Sequence, residues 1–162
     1  MKKLFLTVLL AVGAFSLSSA QEIAKNALGL RIGGGNGYGA EVSYQRGLGD
    51  NNRLELDLGW RNDRNFDAVK LAALYQWVWN IEGGFNWYLG VGGGIGSVED
   101  KRNDFDHDDG AFAFVAGNIG IEYNFDIPLL ISLDFRPEIG FSDYDVIDDF
   151  GPDIALGVRY QF

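Results

Sequence analysis

The sequence predicts an all-β protein: a closed eight-stranded antiparallel up-and-down transmembrane β-barrel behind a cleaved signal peptide. Three observations carry this. Apolar and polar residues alternate with a period of two in eight separate segments, as side chains do along a pleated strand. No segment after the leader sustains a helical period. One face of the alternation is apolar and aromatic, while the other carries the charges and gathers much of the glycine.

The leader comes first. Lys2 and Lys3 precede an apolar run from Leu4 to Phe15, and Ser18 and Ala20 fit a small-x-small cleavage site. The run is shorter than the ~20 residues a spanning helix needs, so it reads as a signal peptide and not an anchor. Residues 1–20 are thus the leader and 21–162 one barrel domain. The 162-residue chain has a formal net charge of −10, which supplies no basic footprint for nucleic acid. It contains no cysteine, so an exported chain of this kind is not a disulfide-stapled scaffold. Its 14% aromatic content argues against disorder.

The strands follow in order. Leu28, Leu30 and Ile32 alternate with Gly29, Arg31 and Gly33, and "GGGNG" then turns the chain. Tyr38, Ala40, Val42 and Tyr44 alternate with Gly39, Glu41, Ser43 and Gln45, up to the turn "GLGDNN". Leu54, Leu56, Leu58 and Trp60 alternate with Arg53, Glu55, Asp57, Gly59 and Arg61, before the polar "NDRN". The fourth strand sets Val69, Leu71, Ala73, Tyr75, Trp77 and Trp79 against Ala68, Lys70, Ala72, Leu74 and Gln76. After "NIEGG", the fifth sets Phe85, Trp87, Leu89, Val91 and Ile95 against Asn86, Tyr88, Gly90, Gly92 and Gly94, and these inward glycines are expected to make room for neighbours such as Phe112 or Phe114. An acidic loop, "SVEDKRNDFDHDDG", leads to the sixth, with Val115, Ile119, Ile121, Tyr123 and Phe125 opposed to Ala116, Asn118, Gly120, Glu122 and Asn124. The tight "DIP" turn precedes the seventh, with Leu129, Ile131, Leu133 and Phe135 opposed to Leu130, Ser132, Asp134, Arg136 and Glu138. Pro137 cannot donate to a ladder, so a bulge or the end of regular pairing is expected there. A second acidic loop, "SDYDVIDDFGPD", leads to the terminal strand, where Ile154, Leu156, Val158, Tyr160 and Phe162 alternate with Asp153, Ala155, Gly157, Arg159 and Gln161. Regular turn signals between the strands indicate a meander.

Parity decides which way the barrel faces. A soluble barrel puts its apolar residues inside, and a membrane barrel puts them outside. The charged face carries Arg31, Glu41, Glu55, Asp57, Arg61, Lys70, Glu122, Asp134, Arg136, Glu138 and Arg159. Such charges would be costly in an apolar cavity, and no helix is available to cover the other face. The charges are therefore assigned to the lumen, as a salt-bridge and hydrogen-bond network. Tyr44, Trp77, Trp79, Phe85, Trp87, Tyr123, Phe125, Tyr160 and Phe162 stand beside short turns or the terminus, where they would form an aromatic girdle at one membrane interface. Tyr38, Trp60 and Phe141 are assigned to the opposite rim.

The terminal Gly157-x-x-Tyr160-x-Phe162 resembles the C-terminal insertion signal of bacterial outer-membrane barrels. With its leader, the whole chain resembles the small eight-stranded barrels of the OmpA/OmpX type, and "DIPLLISLDFRPEIGF" looks like the seventh strand of porin-family small barrels. The resemblance implies an outer membrane of a Gram-negative cell, periplasmic termini and tight turns, and longer loops facing outside. It implies membrane lipids and the barrel assembly machinery as partners. It does not imply an activity, because one scaffold carries several functions.

Chemistry-bearing patterns are sparse. Asp104, Asp106 and Asp108 have the D-x-D-x-D spacing of a Ca²⁺ loop, but Asp109 holds the glycine position and Val115 that of the bidentate glutamate. This departs from an EF-hand and leaves a weak surface-cation candidate, to which Asp143, Asp145, Asp148 and Asp149 of the second loop could add; no metal is assigned. The lone histidine, His107, lies among aspartates and is not placed beside the strand serines Ser43 or Ser132, so no catalytic residue and no cofactor is assigned. The expected function is a non-enzymatic, monomeric outer-membrane barrel with a plugged charged interior. Its role would be structural, or surface interaction with a ligand through the acidic loops. The alternative is a small porin or channel for ions or small solutes.

Overall fold

In the computed structural model, which describes residues 23–34, 39–62, 66–100, 110–141 and 150–162, eight strands close into one antiparallel barrel in chain order. They are β1 (Asn26–Gly33), β2 (Ala40–Gly47), β3 (Asn52–Asn62), β4 (Phe66–Glu82), β5 (Phe85–Asp100), β6 (Gly110–Asn124), β7 (Leu129–Phe141) and β8 (Phe150–Gln161). The ring closes where β1 pairs with β8, from Ala27 opposite Gln161 to Gly33 opposite Ala155. Closure leaves no open edge, so every strand has a paired neighbour on both sides.

The short connections 48–51, 83–84 and 125–128 lie at the same end as the start of β1 and the end of β8, and we call this the turn side. At the β4–β5 turn, Gly83 has φ +53°, a left-handed conformation open to glycine. Asn80 Nδ2 closes this turn by donating to the Gly83 carbonyl at 2.9 Å and to Asn86 Oδ1 at 2.9 Å. The register shift between Asn80 and Glu82 takes up the extra residue Ile81.

The wall is uneven. β4, β5 and β6 have 17, 16 and 15 residues, whereas β1 and β2 have eight each. A tilted membrane strand needs only about 9–11 residues, so β4–β6 rise beyond the rest on the loop side. Two sequence expectations are corrected here. β5 continues through Ser97–Asp100, and β6 begins at Gly110 and not at Val115. The reason is that Phe112 and Phe114 turn inward. They lie directly opposite Gly96 and Gly94, and Tyr88 lies opposite Gly120. A Cβ at Gly120 would stand 2.5 Å from the Tyr88 ring. Each ring covers the backbone of its glycine partner, and the apolar-out pattern fails locally for that reason. At Pro137 the β6–β7 ladder lapses: Ala116 pairs with Glu138 and Ile119 with Phe135, with Gly117 and Asn118 unpaired between them. The register is the same on both sides and β7 runs on to Phe141, so the expected break in regular pairing is a local lapse without a bulge.

The barrel is inverted relative to a soluble one. Leu30, Leu71, Val91, Ile119, Leu133 and Leu156 are exposed on the outer wall, where Ile154 reaches 64% exposure. A continuous apolar belt of this extent is not sustained by a water-soluble monomer. At the turn side, Trp79 stacks on Trp87 at 4.5 Å, Tyr123 packs edge-on against Phe85 and Phe125, and Tyr160 stacks with Phe162 at 6.2 Å. Trp60 and Phe141 are exposed at the loop-side ends of β3 and β7; Tyr38 lies outside the described residues.

Candidate functional site

The interior of an eight-stranded barrel is only just wide enough for side chains, and here it is filled mostly by polar ones. Among the described residues, five buried cations, Arg31, Arg53, Lys70, Arg136 and Arg159, share it with seven carboxylates: Glu41, Glu55, Asp57, Glu122, Asp134, Glu138 and Asp153. They form two groups.

The loop-side group is built around Glu41 on β2. Arg31 Nη1 on β1 donates to Glu41 Oε2 at 3.0 Å and to Asp153 Oδ2 at 2.6 Å, while its Nε and Nη2 donate to Asp134. Arg136 on β7 donates from Nη2 to Glu41 Oε1 at 2.7 Å and from Nη1 to Asp57 Oδ2 at 2.8 Å, and pairs with Glu138 at 2.9 Å. Lys70 Nζ on β4 donates to Glu138 at 3.0 Å, lies 3.3 Å from Glu41, and sits 5.4 Å from the centre of the Phe114 ring. One carboxylate is thus shared by three cations from three strands. The planar forks of Arg31 and Arg136 suit such multidentate contacts.

The turn-side group is built around Arg159 on β8, which is fully buried. Its Nε donates to Ser43 Oγ at 3.0 Å, its Nη1 to Ser132 Oγ at 2.8 Å and its Nη2 to Glu55 Oε2 at 3.2 Å. Both strand serines are therefore held by an arginine, which is no arrangement for activating a nucleophile. Arg53 donates to Gln76 at 2.6 Å, pairs with Glu122 at 2.7 Å and lies over the Tyr88 ring at 4.7 Å. Gln45 donates to Glu55, and Gln76 to Asn118 at 2.8 Å.

Gly157 explains how Arg159 reaches three partners. A Cβ there would run into Arg159 Nη1 and Ser132 Oγ. Gly157→Ala is expected to push the guanidinium off Ser132 and to destabilise the barrel by about 1–3 kcal/mol, the usual range for overpacking. Urea unfolding in lipid vesicles measures this; an unchanged midpoint would refute it. Tyr160 and Phe162 of the same C-terminal motif point outward, 60% and 62% exposed.

Of the eleven residues assigned to the lumen by sequence parity, ten have described side chains; Arg61 lies in β3 with its side chain outside the description. Arg53 and Asp153 were placed on the inner face by alternation but not counted in the network, yet each makes an ion pair there. Gln45, Gln76, Asn86, Tyr88 and Asn118 are also interior, and the same alternation marks them. Asp104, Asp106, Asp108 and His107 lie outside the described residues, as do Asp143, Asp145, Asp148 and Asp149. Among the described residues, no group of three or more His, Cys, Asp or Glu side chains is arranged to hold a metal ion.

No protein-family model matches the chain, and no curated protein matches it. Solved structures do. The chain is similar to the N-terminal β-barrel domain of Pseudomonas aeruginosa OprF, with a TM-score of 0.64 and 17% identity over 86% of this chain and 100% of that one. It is similar to Neisserial surface protein A, with a TM-score of 0.61 and 11% identity over 85% of this chain and 94% of that one. A de novo designed transmembrane β-barrel matches with a TM-score of 0.55 and 13% identity over 89% of this chain and 100% of that one. At these identities the likeness is one of fold: this chain has the closed eight-stranded architecture of small outer-membrane barrels. The fold by itself assigns no activity.

Proposed function

We propose that this protein is an integral, non-enzymatic outer-membrane barrel whose charged interior is a plug. Its role is structural, or surface interaction through the acidic connections 101–109 and 142–149. The observation that carries this reading is the sharing of Glu41 among Arg31, Lys70 and Arg136, which ties β1, β2, β4 and β7 together across the lumen. In this reading residues 1–20 are a signal peptide, residues 21–162 the barrel domain, and the turn side with both termini faces the periplasm. Gly157, Tyr160 and Phe162 then serve as the motif read by the barrel assembly machinery. Lipid surrounds a monomer.

The mature protein, inserted in a planar bilayer and checked for insertion by protease protection, is expected to show no steady conductance. Reproducible steps would replace the plug by a small porin, with Arg31, Lys70 and Arg136 lining its path.

A further inference from the structure

Ile23 and Ala24 precede β1 and belong to no strand, yet both are half-buried, whereas Lys25 after them is exposed. The Lys25 carbonyl accepts a hydrogen bond from Gly47 N at 3.0 Å, which ties the segment to the end of β2. Gly47 gives it a seat: a Cβ there would stand 3.0 Å from the Ala24 carbonyl oxygen and 3.7 Å from Ile23 Cγ2. The chain therefore lies across the turn-side end of the barrel and does not run away from it. Beside it, Gln45, Arg53, Asn86, Glu122 and Leu130 join Ile23 and Ala24 in lining a small recess, partly open to the outside, with about 10 Å³ of space, room for one water. Arg53 Nη2 is buried on this side of the lumen and has no hydrogen-bond partner among the described residues. A buried cationic donor without a partner is costly, and an ordered water in such a space is the usual remedy.

We propose that residues 23–25 are a stopper. They cover the turn-side mouth of the lumen and narrow it to a recess for a single water held by Arg53 Nη2, and they do so independently of the ion pairs around Glu41. The lumen then has two closures in series, one made by side chains of the barrel wall and one by the chain's own N-terminal segment. The second closure does not depend on whether the first conducts, so conductance tests the plug, and access to the cavity tests the stopper.

The absence of cysteine allows that access to be read directly. Ala27 and Leu130 face the cavity and are 2% exposed each. Ala27→Cys and Leu130→Cys would be made separately in the mature protein, folded in detergent micelles, and treated with a small water-soluble methanethiosulfonate. Each is compared with the same variant carrying Ile23→Gly and Ala24→Gly, which loosen the segment without touching a strand. Heat-dependent gel migration identifies the folded fraction. Modification is expected to be slow with the native segment and about tenfold faster or more with the loosened one, as for release of a locally stable closure. Equal rates with native and loosened segments at both positions would overturn the stopper.

Discussion

Glu41→Ala is expected to cost the folded barrel about 3–5 kcal/mol, the range for removing one partner from a buried ion pair. The reason is geometric. Glu41 is 3% exposed and is approached by Arg31 at 3.0 Å, Arg136 at 2.7 Å and Lys70 at 3.3 Å. Its removal leaves three buried cations facing one another with less compensation, and Coulomb repulsion is strong where water is scarce. Arg31 retains Asp134 and Asp153, and Arg136 retains Asp57, so the cluster loosens without emptying. Urea titration of the protein in lipid vesicles gives the loss. Glu41→Gln, which keeps the shape and one acceptor oxygen, is expected to lose less. The double variant Glu41→Ala, Lys70→Met is expected to lose less than the sum of the two single changes, because the methionine removes one of the stranded charges. A loss for Glu41→Ala below about 1 kcal/mol would mean that the cluster is hydrated and behaves like surface pairs.

This cluster marks the boundary of what the sequence discloses. Alternation along one strand reveals which side chains face inward, because the pleat has a period of two and lipid tolerates little charge. It therefore placed Arg31, Glu41, Lys70 and Arg136 inside. It does not disclose that these four meet. Arg136 and Glu41 come from β7 and β2, which are not neighbours in the ring. Their contact depends on how far each strand is staggered when the sheet closes, and stagger belongs to the ring as a whole. The turn-side group follows the same rule: Arg53 on β3 is inward by parity, but its partner Glu122 lies on β6, which is not its neighbour in the ring.

The start of β6 departs from the alternation for a different reason. Ala111 and Ala113 face outward and Phe112 and Phe114 inward, the reverse of the pattern that identifies a lipid-facing strand. The rings turn inward because Gly94 and Gly96 opposite them leave room, and with Ala72, Leu74 and Ala116 they make a small apolar core inside the loop-side lumen. A sequence rule of apolar-out, polar-in does not by itself place an apolar patch within the lumen. The inward glycines Gly90, Gly92 and Gly94 do signal it, since space on one strand calls for bulk on the next, and Phe114 indeed stands opposite Gly94 while Phe112 stands opposite Gly96. The stopper left no periodic trace at all, because Ile23 and Ala24 lie outside any strand.

Val91→Arg is expected to destabilise the inserted barrel by about 2–4 kcal/mol, whereas Ile95→Arg, nearer the loop-side edge of the belt, should cost about 0–1 kcal/mol. Both positions are on the outward face of β5, exposed by 53% and 63%, so neither change disturbs interior packing. Their environments differ in depth. The apolar outward run of β4 extends from Val69 to Trp79, with Tyr75 near its middle, and Val91 pairs with Tyr75. Ile95 pairs with Leu71, and the next outward positions beyond it are Ser97 and Glu99. An arginine at Ile95 can extend its guanidinium to water or headgroups, while one at Val91 has the longest way to go. Urea unfolding in vesicles of fixed acyl-chain length measures both. Equal, small effects would place β5 in water and remove the membrane reading, because only a low-dielectric slab makes the cost of the same charge depend on height along one strand.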